Sequence, residues 1–215
     1  MEGDALRIPH TNLFNLLVSL YTQVKKMKIA KCKLVSQSPY SQGKYHQTEK
    51  KSKELPKDYE SRTWKQKCHI NKDGYVIIPP MAFANSIKEA ATYMSISIPG
   101  QGKSKYTKNF HAGILVPKPL VLDMHIDEIK SEWVFVPSDG RRGGTTRVSK
   151  CFPLIESWNG TVEYYIMDDI ITIDIFERVL KAAGQLIGIG RFRPKNWGYY
   201  GRYSVEGIKW EEQSL

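Results

Sequence analysis

Residues 184–205, GQLIGIGRFRPKNWGYYGRYSV, bring together three side-chain types that do chemistry with polyanions. Arg191, Arg193, Lys195 and Arg202 supply positive charge, and a guanidinium fork matches the oxygens of a phosphate. Phe192, Trp197, Tyr199, Tyr200 and Tyr203 supply faces on which bases stack. Gly184, Gly188, Gly190, Gly198 and Gly201 let a backbone take φ > 0 or come close to a ligand. No acidic residue falls between Gly184 and Val205. This mixture points to a nucleic-acid surface. The competing reading is a tight corner between strands with its aromatic side chains packed inward.

Two other stretches share this chemistry. Residues 137–150, PSDGRRGGTTRVSK, carry Arg141, Arg142 and Arg147 among glycines and threonines, a loop that can hold phosphate through N–H groups and guanidinium forks. The loop lacks P-loop spacing. Residues 26–36, KMKIAKCKLVS, place Lys31 and Lys33 on a strand, either as phosphate contacts or as charges that blunt a sheet edge. The positions of the lysines relative to Ile29, Cys32 and Leu34 predict a mid-strand shift of face, such as a bulge.

The bulk composition agrees. The 215 residues carry 32 Lys+Arg against 22 Asp+Glu, a net charge of +10. A basic chain seeks a polyanion, nucleic acid before an anionic membrane. Cys32, Cys68 and Cys151 make an odd set without CxxC pairing, which offers neither a disulfide framework nor a zinc knuckle and fits a reducing, cytoplasmic setting. No apolar run is long enough for a bilayer span, so no membrane partner is expected. No metal or other cofactor is expected either.

The elements that must position these residues follow from periodicity. Leu13, Leu16, Leu17 and Leu20 form a helical stripe in residues 9–22. Strands are predicted at 26–36, 75–78, 114–116, 120–126, 132–136, 152–155, 160–167 and 203–210. A helix starts at Pro79-Pro80 with the stripe Met81, Phe83, Ile87, Ala90, Ala91 and Met94. A second runs from 170 to 187 with Ile175, Val179, Leu180, Ala183, Leu186 and Ile187 on one face, capped by Thr172 or Asp174 and ended by Gly184 and Gly188. Between Lys44 and Lys67 eight basic residues face four acidic ones, which predicts a long basic loop outside the core. Residues 97–112 form another basic, glycine-bearing loop. The order predicts one α+β domain over residues 1–215: an RRM-like or ferredoxin-like antiparallel sheet with helices on one face and long basic loop insertions. The open face of such a sheet can bind single-stranded RNA.

Three segments, in order, resemble landmarks of the RAMP superfamily, the RNA-binding proteins of CRISPR complexes. KLVSQSPYSQGK (residues 33–44) resembles its early strand and SP segment. YVIIPPMAFANSIKEAA (residues 75–91) is similar to its strand-to-helix step, and GIGRFRPKNWGYYGR (residues 188–202) to its glycine-rich loop. Pro80 departs from the family's small residue, and the family's helix glycine has no counterpart. The resemblance implies a subunit that grips single-stranded guide RNA without reading its sequence. It also implies stacking with copies of itself along the RNA beside other effector subunits, and a thumb at residues 42–65 or 97–112. The implied contacts are Lys31, Lys33, Lys88, Arg141, Arg142, Arg147, Gly188, Gly190, Arg191, Arg193, Lys195 and Arg202, with Trp197, Tyr199 and Tyr200 stacking. Some relatives cleave RNA, for which His46 and His69 are the candidates, followed by Asp58 and Asp139; no catalytic residue is assigned. A single-stranded DNA-binding or annealing protein of a mobile element and an oligomeric scaffold are the readings outside the family.

Overall fold

The computed structural model describes residues 26–138 and 145–214. The leucine stripe of residues 9–22, Asp139, Arg141 and Arg142 lie outside them.

β1 (Lys26–Ser36) alternates as its sequence demands. Ala30, Cys32 and Leu34 are fully buried while Lys31 and Lys33 point the other way. β1 lies between β8 (Asn159–Ile166) and β9 (Tyr203–Ser214), and β8 also pairs with β4 (Ile114–Leu115), all antiparallel. The expected irregularity lies in the partner strand. Lys33 stands opposite Gly207 and Leu34 opposite Val205, so Glu206 is the extra, bulged residue.

Two helices pack on one face of this sheet. α2 (Pro80–Met94; α1 is described below) starts at a proline and buries Phe83, Ala84, Ser86, Ile87, Ala90 and Ala91. Met81, expected on that stripe, is exposed. α4 (Ile173–Ala182) is capped by Thr172 Oγ1, which accepts from Ile175 N at 3.5 Å, and buries Phe176, Val179 and Leu180. Phe176 is a core residue that the expected stripe omitted, whereas Leu186 is exposed. The chain β1, α2, β4, β8, α4, β9 with spatial order β4-β8-β1-β9 is the βαββαβ ferredoxin-like arrangement. Phe83, Trp158 and Tyr203 pin helix to sheet, with ring centroids 6.0–6.3 Å apart.

Two insertions complete the chain. The first holds β2 (Tyr40–Ser41), α1 (Pro56–Thr63) and β3 (Tyr75–Ile78). The second holds β5 (Leu120–His125), β6 (Lys130–Pro137) and β7 (Arg147–Ile155). They form a β2-β7-β6 sheet and a β3-β5 ribbon. Residues 43–58 are largely exposed, as expected of an insertion outside the core, but α1 ties the end of the segment into the fold. Glu60 on α1 and Lys67 are both buried and ion-paired. Glu60 Oε2 also accepts from Cys151 N at 2.9 Å, and Lys67 Nζ donates to Cys151 O at 2.8 Å. One buried ion pair thus fixes α1 to β7. Residues 97–112 are also partly structural. Tyr106 and Phe110 are buried, and α3 (Thr107–Gly113) closes the segment, which leaves residues 99–105 as the exposed tip.

Candidate nucleic-acid interface

The glycine-rich loop between α4 and β9 is zipped onto the SP segment. Gly201 N donates to Pro39 O at 2.7 Å, Gln37 N to Arg202 O at 2.8 Å and Arg191 N to Ser41 O at 2.8 Å. Gly190 and Gly201 have φ of +75° and +76°. A Cβ on Gly190 would meet Ser41 O and the Tyr40 ring, and one on Gly201 would meet the Ile189 backbone. Gly188 is buried, with φ of +70°. At Gly188 and Gly190 the backbone freedom expected to serve a ligand therefore serves the contact of the loop with its own protein.

The loop also reaches α2. Arg193 Nη2 donates to Glu89 Oε1 at 2.8 Å, and Lys195 Nζ pairs with Glu89 Oε2 at 2.5 Å. Lower on the same helix, Ser86 Oγ donates to Ala183 O at 3.2 Å and lies 3.4 Å from Tyr203 Oη. The three segments that carry the family resemblance thus meet in space. Partial burial alone would raise the Glu89 carboxyl, but hydrogen bonds from Lys195 and Arg193 outweigh it and hold the group below its ordinary value. One carboxylate shared by two cations leaves net positive charge. Lys88 adds to it along a groove of about 590 Å3 whose walls include Asn85, Thr92, Tyr93, His111 and Lys195. His111 Nε2 lies 2.9 Å from Thr92 Oγ1 and 3.2 Å from Lys88 O. Asn85, Lys88, Glu89 and Thr92 follow helical spacing opposite the apolar stripe, the signal by which the rest of this groove could have been read from sequence.

The remaining loop residues divide by environment. Trp197 and Tyr199, in the same loop as Arg193 and Lys195, are 83% and 62% exposed. Tyr200 is engaged, since its hydroxyl donates to Glu132 on β6 at 2.6 Å. Burial and Glu132 push that hydroxyl up to about 12. Arg202 folds back onto the carbonyls of Gln185 and Tyr199 at 3.2 and 3.4 Å. Arg191 lies against the Phe152 ring, which Lys67 also approaches at 4.4 Å. Its Nη1 is buried without a hydrogen-bond partner, and burial lowers its pKa to about 10. Arg191 therefore joins the loop to β7, and a phosphate would have to displace that packing to reach it.

The other expected cations lie elsewhere. Lys31 and Lys33 sit on the open face of the four-stranded sheet, away from the helices. Lys31 pairs with Glu211 at 3.0 Å and Lys33 with Glu206 at 2.7 Å, while Lys118 lies 4.0 Å from Glu163. These three lysines are thus each matched by a glutamate, whereas Lys209, the cross-strand neighbour of Lys31, is exposed beside them. Arg147 opens β7, its Nη1 donating to Phe135 O at 3.3 Å. His46 stacks on Tyr59 with centroids 6.2 Å apart, and His69 is held below its ordinary value by burial and by Lys44. Neither forms an ion pair with a carboxylate among the described residues. The same residues contain no group of three or more His, Cys, Asp or Glu able to hold a metal, and no helix long and apolar enough to cross a membrane.

No protein-family model and no curated relative matches the sequence. Among solved structures, a chain of the type III-B Cmr-beta complex bound to cognate target RNA is similar at TM-score 0.48 and 11% identity, over 95% of this chain and 68% of that one. Cmr6 from Pyrococcus furiosus is similar at TM-score 0.46 and 12% identity, over 83% of this chain and 98% of that one.

Proposed function

We propose that this chain binds single-stranded RNA, in the manner of a RAMP-type subunit of a CRISPR ribonucleoprotein, and that it does so on its helix side. One observation carries the reading: Arg193 and Lys195 meet Glu89 on α2 next to Lys88 in sequence, and the same loop exposes the rings of Trp197 and Tyr199. Phosphates lie against the three cations, and Glu89 fixes the guanidinium of Arg193 so that its fork is already oriented. Bases stack on Trp197 and Tyr199. Every base has a π-face, so the grip does not depend on sequence. Thr92 and Asn85, polar groups in the same groove, are placed to bond a 2′-hydroxyl. Copies of the chain along one RNA, and contacts with further effector subunits, follow from the same reading.

A competition titration between single-stranded RNA and DNA of one sequence tests the proposal. RNA is expected to win, because only a reader of the 2′-hydroxyl separates the two. Equal affinity supports the mobile-element DNA-binding reading instead. No affinity for either leaves a structural scaffold.

A further inference from the structure

We infer that the tip of residues 97–109 is a second phosphate-contact site for the same RNA strand, so that the strand runs along α2 and α3 rather than ending at the glycine-rich loop. This inference rests on the RNA-binding reading above. The site is a groove of about 660 Å3 whose walls include Lys103, Ser104, Lys105, Thr107, Lys108 and Asn109, with no carboxylate among them. The surrounding sequence is equally one-sided, since no acidic residue occurs from Ala90 to Leu122. Asp168, which meets this region, accepts from Asn109 Nδ2 at 2.8 Å and from Ile170 N at 3.1 Å, and is not part of the groove wall.

The lysines here differ from three on or beside the open sheet. Lys31, Lys33 and Lys118 each face a glutamate. Lys103, Lys105 and Lys108 are exposed, and none forms an ion pair among the described residues. Lys105 Nζ donates to Ser95 Oγ at 2.6 Å, which anchors it at the end of α2. The groove is joined to the first one through α3. Lys108 lines one and His111 the other, one helical turn apart. Lys88 and Ser95 are separated by seven residues of helix, about 10 Å along its axis, which is further than one phosphate group can bridge. An acid-free concave surface at that distance, carrying hydroxyl and amide groups between its lysines, fits the next phosphates of a bound strand. A merely solvated lysine face requires no such groove.

The test uses the full chain with Lys103, Lys105 and Lys108 all changed to Gln, and two RNAs, one on the order of five nucleotides and one on the order of twenty. The variant is expected to bind the short RNA as the unaltered chain does and to lose affinity for the long one. Its slope of log K against log salt for the long RNA should fall by about 1–2, at about 0.7 for each phosphate no longer engaged. Unchanged binding of the long RNA overturns the inference while leaving the first groove as the RNA site. Equal weakening for both lengths also overturns it, because the lysines would then act only through the overall field. If the unaltered chain binds neither RNA, the RNA-binding reading itself fails.

Discussion

Changing Lys67 alone to Met is expected to destabilise the protein by about 3–5 kcal/mol, read as a fall in the urea midpoint at unchanged slope. Glu60 and Lys67 are 8% and 7% exposed and are held together between α1 and β7. Removing the ammonium leaves the Glu60 carboxylate buried without its counter-charge, while the Cys151 N–H still donates to it. Taking both charges out together avoids that penalty. The double variant Glu60→Gln with Lys67→Met is therefore expected to recover most of the loss, a coupling that the double-mutant cycle measures directly. Additive losses in the two single variants would show that the ion pair is not what fixes α1.

Changing Lys88, Arg193 and Lys195 together to Ala is expected to weaken RNA binding about a hundredfold at 0.1 M salt, with the salt slope falling by about 2. Three phosphates at about 0.7 each give that slope, and the difference between the proteins should shrink toward 1 M salt. All three side chains lie on α2 or in the glycine-rich loop, and Glu89, the partner of Arg193 and Lys195, is only partly buried. The melting temperature should therefore change little. Lys31→Ala with Lys33→Ala is the matched control on the open sheet. There each lysine already neutralises a glutamate, so its loss is expected to leave affinity nearly unchanged. Arg191 is kept out of the binding variant, because its packing on Phe152 would mix a stability effect with a binding effect.

Much of the frame is legible in the sequence. The alternation of Ala30, Cys32 and Leu34 with lysines specifies β1, and the proline start and apolar spacing specify α2. The glycine-rich run falls between the last helix and the last strand, where its flanking patterns put it. These are local patterns, and local patterns survive into the fold. Pairings across the chain are not legible in this way. Glu89 meets Arg193 at a separation of 104 residues, and Lys31 meets Glu211 at 180. No periodicity encodes such contacts, so the strand lysines read as free charge and Glu89 does not read as the centre of the site. α1, PKDYESRT, has almost no apolar face, and a single buried ion pair seats it. Its sequence therefore reads as a loop. Arg191 shares its local composition with Arg193 but differs from it in burial, which only the packing of β7 decides.

The central claim is that RNA lies along the helix side of the sheet. Ultraviolet crosslinking of the full chain to single-stranded RNA, with the crosslinked residues located by mass spectrometry, tests it most directly. The account predicts adducts on Tyr93, which shares a groove with Lys88 and Lys195, and on Trp197 and Tyr199, the exposed rings of the loop that carries Arg193 and Lys195. Adducts concentrated on Tyr165, which faces out from β8 on the open sheet opposite Ile29, would contradict it.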